Sequence, residues 1–146
     1  ITRLGFVNKK QEKSIADDQI KALGVKTPSA KTIVENLSGG NQQKCIVGRW
    51  LELNPQILIM DEPTRGIDVG TKYEIYLLMK GIAERGGSVI LISSELPEVL
   101  NMSNRVLTIY DGRITGEFNP ETVVQDTIME RALGLEGGDG TYEQAK

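Results

Sequence analysis

The stretch from Leu37 to Asp68 reads LSGGNQQKCIVGRWLELNPQILIMDEPTRGID, and the rest of the chain is organised around it. It predicts a glycine turn that opens a helix, then an apolar strand that ends in the adjacent acids Asp61 and Glu62. Glycines at a helix start suit a phosphate, because free backbone N–H groups and the helix dipole both favour an anion there. Carboxylates at the carboxyl end of a strand suit a hydrated magnesium ion. Together the two halves indicate a site for a nucleoside triphosphate.

The composition is that of an ordinary globular domain. The chain has 146 residues, of which 39% are hydrophobic and 25% charged, which is enough for one domain. Its net charge of −3 provides no electrostatic footprint for nucleic acid. No apolar run is long enough for a transmembrane helix, so we expect any membrane association to be peripheral.

Histidine is absent from the chain, and Cys45 is its only cysteine. The first absence excludes His-dependent zinc sites, Ser-His-Asp triads and imidazole general bases. A lone cysteine excludes an intrachain disulfide framework and fits a reducing compartment. Cys45 is expected to be a small packed side chain, because no acid–base partner lies near it in the sequence. Any chemistry must therefore depend on carboxylates and a metal ion.

Hydrophobic periodicity predicts an α/β arrangement on both sides of the central stretch. The segments Gln56 to Met60 and Ser88 to Ile92 are apolar runs of strand length, and the first is typical of a strand covered on both faces. The helix between them, Gly70 to Arg85, implies a right-handed crossover and parallel pairing. In that helix we expect Ile75, Leu78, Met79 and Ile82 to face inward. Residues 1 to 8 show neither a helix cap nor a clear strand pattern.

Four further elements are predicted. A helix Lys9 to Leu23 ends at Gly24 and buries Ile15, Ile20 and Leu23, and a helix Asn41 to Leu53 is capped by Ser38 and buries Ile46, Val47, Trp50 and Leu51. A hairpin of Arg105 to Tyr110 and Arg113 to Phe118 turns at Asp111-Gly112, and a last helix runs from Pro120 to Leu133.

Three motifs in the central stretch resemble those of ATP-binding cassette (ABC) proteins. LSGGNQQ resembles their signature motif, ILIMDEP their Walker B strand and RGID their D-loop. Each motif alone is moderately specific, whereas the three in this order within about thirty residues are very specific. The variants LSGGNQQK, DEPTRGIDVG and ISSELPEV resemble the second of two cassettes in bacterial sugar importers of the ribose, xylose and galactoside type. The resemblance covers Val25 to Phe118.

The resemblance implies an α/β fold, namely the C-terminal portion of a RecA-like P-loop NTPase core with part of the helical subdomain. Residues 1–40 would belong to the helical (signature) subdomain, 41–118 to the C-terminal half of the ABC ATPase core, 119–134 to a C-terminal helix and 135–146 to a disordered tail. A P-loop requires G-x-x-x-x-G-K-[ST], and the chain contains no Gly-Lys dipeptide. We therefore expect the P-loop to lie upstream of Ile1, and the isolated chain to be inactive as an ATPase.

The resemblance also implies roles for individual residues. Asp61 would bind Mg²⁺, and Glu62 would polarise the water that attacks the γ-phosphate of ATP. Ser94 stands where most ABC ATPases have a histidine, and serine can hydrogen-bond phosphate but cannot shuttle a proton as imidazole does. The residues Ser38, Gly39, Gly40, Asn41 and Gln42 would complete the ATP site of a partner cassette, and Asp68 would cross the dimer interface.

The leading interpretation is an ATP-binding subunit that couples ATP hydrolysis to sugar import at the cytoplasmic side of the bacterial inner membrane. The implied partners are the first cassette of the same polypeptide, the membrane-spanning permease subunits and, indirectly, a periplasmic sugar-binding protein, with no nucleic acid. Self-association of the chain is also expected, because a partial core leaves sheet edge and apolar surface exposed.

Two alternatives stay open. One is a non-catalytic cassette that regulates its partner, which Ser94 favours and Glu62 disfavours. The other is a DNA-repair or chromosome-maintenance ATPase head, which the absence of heptads and of a basic stripe disfavours.

Overall fold

Residues 2–3 and 6–135 are described by a computed structural model, which divides into a first unit, residues 1–92, and a second unit, residues 93–146. The predicted disordered tail, 135–146, lies outside the described residues except for Leu135. The helices are α1 (Lys9–Ala22), α2 (Gly39–Leu51), α3 (Val69–Glu84), α4 (Leu96–Met102) and α5 (Gln125–Ala132), with a 3₁₀ turn at Val34–Asn36. The strands are β1 (Thr2–Arg3), β2 (Phe6–Val7), β3 (Ile57–Asp61), β4 (Ser88–Ile92), β5 (Val106–Tyr110) and β6 (Arg113–Phe118).

Strands β3 and β4 pair in parallel, which confirms the pairing expected from the strand–helix–strand order. Their register places Asp61 beside Ile92 at the carboxyl end of the sheet. The backbone N–H of Glu62 donates to the carbonyl of Ile92 at 2.9 Å, which extends the ladder one residue beyond β3. The acidic pair therefore stands at the edge where parallel strands present ligand-binding groups.

The prediction that β3 is covered on both faces is wrong for the described residues. Leu58 and Met60 are 8% and 6% exposed, whereas Ile57 and Ile59 are 60% and 63% exposed. Burial alternates because side chains alternate across a strand and the helices of the first unit cover only the face that carries Leu58 and Met60. The opposite face is an apolar surface, continued on β4 by the half-exposed Ile90.

The N-terminal segment has more structure than the sequence predicted. Strands β1 and β2 form a short antiparallel pair. Asn8 then caps α1, because its side-chain oxygen accepts from the backbone N–H groups of Lys10 and Gln11 at 3.2 Å. An Asn cap of this kind is a standard helix start, so the expectation of no cap was wrong.

Helix α1 ends at Ala22, with Leu23 as its C-cap residue, and Gly24 closes the helix as predicted. Gly24 has φ +59, and the N–H of Val25 donates to the carbonyl of Ile20 at 2.9 Å. This is the Schellman arrangement, in which a left-handed residue closes the helix. Leu23 is buried as expected, whereas Ile15 and Ile20 are half-buried.

Helix α2 buries a different stripe from the one predicted. Val47 is 4% exposed as expected, but Ile46 and Trp50 are 51% and 47% exposed, so their assignment to the core was wrong. The buried stripe instead contains Gly40, Lys44 and Gly48. The two glycines are buried there because the absence of a side chain lets neighbouring elements approach. A Cβ atom on Gly48, for example, would lie 2.5 Å from Leu23.

Helix α3 confirms the predicted inward face. Ile75 is fully buried, Met79 and Ile82 are each 4% exposed, and Leu78 is half-buried. The helix packs against β4 and α2, and it therefore joins the sheet to the helix that carries the glycine turn.

The second unit contains the predicted hairpin of β5 and β6. Its turn has φ +48 at Asp111 and φ +72 at Gly112, as a tight two-residue hairpin turn requires. Helix α5 packs on the hairpin, where the hydroxyl of Thr115 donates to the carbonyl of Arg131 at 2.7 Å. This helix begins at Gln125 rather than Pro120, because Asn119 holds the intervening residues in a turn. The sequence did not predict α4.

Among the described residues, no helix combines the length and apolar character needed to cross a membrane.

Candidate functional site

Ser38 stands at the start of α2 without capping it through its side chain. Its backbone has the extended conformation of an N-cap residue, φ −60 and ψ 153, but its hydroxyl accepts no helix N–H. The predicted side-chain cap is therefore wrong. Instead, Nδ2 of Asn41 donates to Oγ of Ser38 at 2.8 Å. Because Oγ acts here as an acceptor, the hydroxyl hydrogen is available to donate to another group.

Asn41 and Gln42 bind the loop that precedes α2. Oδ1 of Asn41 accepts from the backbone N–H of Lys26 at 2.8 Å, and Nε2 of Gln42 donates to the carbonyl of Leu37 at 2.8 Å. Both side chains therefore fix the loop that presents Ser38. Their predicted contact with a ligand stays a prediction.

The two glycines of the turn have different surroundings. A Cβ atom on Gly39 would have its nearest neighbour, Cγ2 of Ile67, at 3.8 Å. A Cβ atom on Gly40 would lie 2.2 Å from Cγ2 of Thr71. The first intrahelical bond runs from the N–H of Gln42 to the carbonyl of Ser38 at 2.9 Å. The preceding N–H groups therefore have no partner inside the helix, and with the helix dipole they favour an anion beside Gly39.

Asp61 and Glu62 occupy the end of β3. The Asp61 side chain is exposed and that of Glu62 half-buried. Glu62 has φ +46, a left-handed conformation that costs a residue with a Cβ roughly 1–2 kcal/mol. Such strain is found preferentially at functional sites. The two residues that follow Glu62, Pro63 and Thr64, are both fully or almost fully buried.

The described residues fit a magnesium ion whose other ligands are water molecules and substrate phosphates. No cluster of three or more Asp, Glu, His or Cys side chains able to hold a metal occurs within residues 2–3 and 6–135. Magnesium keeps several water molecules and is commonly bound through one or two carboxylates together with substrate phosphates. The exposed carboxylate of Asp61 suits that mode.

Asp68 is the N-cap of α3. Its Oδ1 accepts from the backbone N–H of Thr71 at 3.1 Å, and its Oδ2 accepts from the Thr71 hydroxyl at 2.7 Å. These two bonds hold the pKa of the Asp68 carboxyl below its usual value, the hydroxyl contributing most. Sequence reasoning missed Thr71, although an Asp followed three residues later by a hydroxyl at a helix start is a recognisable capping pattern.

A small groove lies between α2 and β3. It has a volume of about 120 Å³ and is lined by Gln43, Val47 and Trp50 on the helix side and by Met60 and Asp61 on the strand side, among others. Trp50 lines this groove and is half-exposed. The guanidinium of Arg49 lies 5.2 Å from the centre of the Trp50 ring.

Ser94 belongs to the second unit, two residues beyond the end of β4, and it is exposed. The neighbouring Ser93 hydroxyl accepts the backbone N–H of Glu95 at 3.0 Å, which shapes the turn into α4. The predicted contact of Ser94 with the γ-phosphate stays a prediction.

Comparison with known proteins gives closely similar relatives. A family model described as ABC transporter matches residues 3–65. A ribose import ATP-binding protein of Clostridium tetani is 51% identical over 88% of this chain and 26% of its own length. A xylose import ATP-binding protein of Photobacterium profundum is 53% identical over 90% of this chain and 26% of its own length. The chain therefore spans about a quarter of the relatives it matches.

Solved structures share the fold. An ATP-binding cassette determined as a dimer in a post-hydrolysis state with ADP and Pi has a TM-score of 0.69 and 25% identity, over 81% of this chain and 51% of that one. An inward-facing ABC transporter described as a putative metal-chelate type has a TM-score of 0.74 and 18% identity, over 89% of this chain and 52% of that one. The motifs, the α/β architecture and these matches together make the chain similar to a part of the ATP-binding proteins of ABC transporters.

Proposed function

We propose that the chain is the C-terminal portion of the second ATPase cassette of a bacterial sugar importer, in which ATP hydrolysis drives sugar import. The observation that carries this proposal is the open start of α2, where Ser38 and Gly39 offer a hydroxyl and free backbone N–H groups to an anion. The identity of 51–53% to ribose and xylose import proteins over about nine-tenths of the chain supports the sugar-import assignment.

The start of α2 would serve an ATP molecule bound mainly by another cassette. Ser38 would donate its hydroxyl hydrogen to a phosphate oxygen, while its Oγ stays oriented by Asn41. Gly39 would let the phosphate approach closely, because it has no side chain and the nearest side chain of another element, that of Ile67, would lie 3.8 Å from a Cβ atom there. Binding there would add positive electrostatic potential where charge develops during phosphoryl transfer.

The end of β3 would serve the cassette's own ATP. Asp61 would hold a hydrated magnesium ion, and Glu62 would orient and polarise the attacking water. Ser94 would donate a hydrogen bond to the γ-phosphate. These roles require a phosphate-binding loop of the form G-x-x-x-x-G-K-[ST], which the 146 residues do not contain, so the chain alone would not hydrolyse ATP.

The proposed arrangement also defines the partners. The signature half, within residues 1–40, would meet the first cassette of the same polypeptide and the membrane-spanning permease subunits. The protein would act at the cytoplasmic face of the inner membrane, and a periplasmic sugar-binding protein would reach it only through the permease. Residues 41–118 would form the C-terminal half of the ATPase core, and 119–134 would be a C-terminal helix.

A non-catalytic, regulatory cassette is the second candidate. The absence of histidine favours it, because Ser94 cannot carry the charge or the proton that imidazole carries in most ABC ATPases. The strained conformation of Glu62 favours the catalytic assignment, since a site without chemistry gains nothing from the strain.

The substitution Glu62→Gln separates the two candidates. It should be made in the complete ATP-binding protein, meaning the two-cassette polypeptide proposed above, reconstituted with its permease. A catalytic site predicts that ATP turnover falls, whereas a regulatory cassette predicts an unchanged rate. The matched control is Glu84→Gln on the exposed face of α3, which should leave turnover unchanged.

A further inference from the structure

Thr71 contacts Asp68, which the resemblance places at the dimer interface, and Gly40 of the turn that opens α2. Its hydroxyl donates to Oδ2 of Asp68 at 2.7 Å, and its backbone N–H donates to Oδ1 of the same carboxylate at 3.1 Å. On its other side, Thr71 fills the space that a side chain on Gly40 would occupy. One side chain therefore links the carboxylate before α3 to the glycine turn that opens α2.

The close approach explains why position 40 is a glycine. A Cβ atom there would lie 2.2 Å from Cγ2 and 2.7 Å from Oγ1 of Thr71, distances that real Cβ atoms do not adopt. Any side chain would push the first turns of α2 and α3 apart. A Cβ atom on Gly39 would meet its nearest neighbours only at ordinary van der Waals distance, 3.8 Å or more, so the close packing of the two helices requires a glycine at position 40 and not at position 39.

A second contact fixes the same two helices one turn further along. Nζ of Lys44 lies 2.7 Å from Oε2 of Glu74, and the Lys44 side chain is only 4% exposed. Lys44 follows Gly40 by four residues and Glu74 follows Thr71 by three, so both pairs lie on facing stripes of α2 and α3. Two such contacts prevent α2 from sliding or rotating against α3.

We infer that Thr71 is a positioning residue that sets Asp68 and the Ser38–Gly40 turn in one fixed relation. This inference rests on the proposed function, in which that turn serves the ATP of a partner cassette. With Thr71 in place, the carboxylate and the glycine turn meet the partner as a single rigid surface. Without its hydroxyl, Asp68 loses its strongest anchor while the turn keeps its packing.

Two variants separate the functions of the Thr71 side chain. Thr71→Val keeps the branched shape and removes the hydroxyl, whereas Thr71→Ser keeps the hydroxyl and removes the methyl group. In the complete protein, Thr71→Val should lower kcat for ATP by about tenfold or more, since small displacements of positioned groups carry large rate penalties. The KM for ATP should change by less than about twofold, because ATP binding rests mainly on another cassette. Thr71→Ser should retain kcat within about twofold of wild type.

Three results would overturn the inference. The first is a Thr71→Val protein with wild-type kcat, and the second is an equal loss of kcat in the Ser and Val variants. The third is a rise in KM with unchanged kcat, which would indicate lost ATP binding rather than lost positioning.

A stability cycle on the chain itself tests the packing without relying on activity. Gly40→Ala should lower the melting temperature by about 5 °C or more, whereas Gly39→Ala should change it by less than about 2 °C. The loss caused by Gly40→Ala should be smaller in a Thr71→Ala background, because the two nearest atoms are then removed. Equal losses for the two glycines, or a Gly40→Ala loss that is independent of residue 71, would contradict the contact.

The substitution Ser38→Arg distinguishes failure of the inference from failure of the proposed function. If Ser38→Arg abolishes turnover while Thr71→Val leaves it intact, only the inference fails. If Ser38→Arg leaves turnover intact, the proposed function fails and the inference fails with it.

Discussion

Lys44 forms an ion pair with Glu74 in which one partner is buried and the other is half-exposed. The Lys44 side chain is 4% exposed and the Glu74 side chain 48%, with Nζ and Oε2 2.7 Å apart. Nζ also donates to the carbonyl of Gly24 at 3.0 Å. The buried ammonium group thus joins the end of α1 to α2 and α3.

Removing the two partners of this ion pair should have unequal effects. Glu74→Ala leaves the buried ammonium group without its counter-ion and should lower the free energy of unfolding by about 1–3 kcal/mol. Lys44→Met removes the buried charge itself and keeps an apolar stem of similar length, so it should cost less. Urea unfolding of both variants measures the difference. A larger loss for Lys44→Met than for Glu74→Ala would contradict this account of the pair.

The Asp68–Thr71 contact predicts a pH dependence of stability. The pKa of Asp68 is lower in the folded chain than its usual value, so its ionised form favours folding. That contribution is fully present above the unfolded pKa of about 3.9 and is lost as the pH falls through the folded pKa. Thr71→Val removes the main cause of the shift, so the pKa of Asp68 should rise in that variant.

Carboxyl NMR titration measures that pKa directly, and Thr71→Ser is the matched control. The melting temperature of wild type should exceed that of Thr71→Val more at pH 6 than at pH 2, since the carboxylate is protonated in acid. A pKa of Asp68 that is the same in the Val and Ser variants would rule out the hydroxyl as its cause.

Cys45 should react slowly with alkylating reagents while the chain is folded. Partial burial raises the pKa of its thiol, and the thiolate is the reactive form. At pH 7.5 we expect iodoacetamide to modify it several times more slowly than it modifies the unfolded chain in urea. Mass spectrometry follows the reaction, and Cys45→Ser should remain unmodified. Equal rates in the folded and unfolded chain would contradict the packed environment.

The exposed face of the β3–β4 sheet predicts self-association. Ile57, Ile59 and Ile90 are 60%, 63% and 50% exposed, and adjacent apolar side chains on one sheet face favour contact with another surface. Light scattering should show a mass above that of one chain that rises with concentration, and Ile59→Lys should reduce it. The control is Val69→Lys, an exposed position on α3. An equal mass for wild type and Ile59→Lys would show that this face is not the contact surface.

Local signals in the sequence predicted the elements whose patterns are self-contained. The hairpin turn at Asp111-Gly112, the closure of α1 by Gly24 and the buried face of α3 all depend on a few neighbouring residues, and all were correct. The start of α1 at Lys9 was also correct, but its cap was missed, because no helix cap was expected in residues 1 to 8 although Asn is a favoured N-cap residue.

Burial depends on what the neighbouring elements cover, and periodicity alone does not reveal this. Ile46 and Trp50 lie on an apolar stripe of α2, but α3 packs against Gly40 and Lys44 instead. The apolar run of β3 indicated cover on both faces, whereas Ile57 and Ile59 are exposed in the described residues. In a sequence, a buried lysine and two glycines are weaker signals of burial than an apolar stripe. The tertiary packing nevertheless buries Lys44, Gly40 and Gly48 and leaves Ile46 and Trp50 exposed.

The candidate site was predicted in its positions but only partly in its contacts. The motifs placed Asp61 and Glu62 at the end of a strand and Ser38 at the start of a helix, as the structure has them. They did not show that Asn41 orients Ser38, nor that Thr71 holds Asp68. These contacts join residues through side-chain geometry, which spacing along the chain does not encode.

The proposed function requires the start of α2 to serve an ATP molecule in a partner cassette. The most direct test is the steady-state ATP turnover of the complete protein with Ser38→Arg, compared with Ser14→Arg on the exposed face of α1. The account predicts that Ser38→Arg lowers kcat by at least about tenfold, because it replaces one donor to the phosphate with a bulky side chain, and that Ser14→Arg has no effect. Turnover of the Ser38→Arg protein equal to that of wild type would contradict the claim.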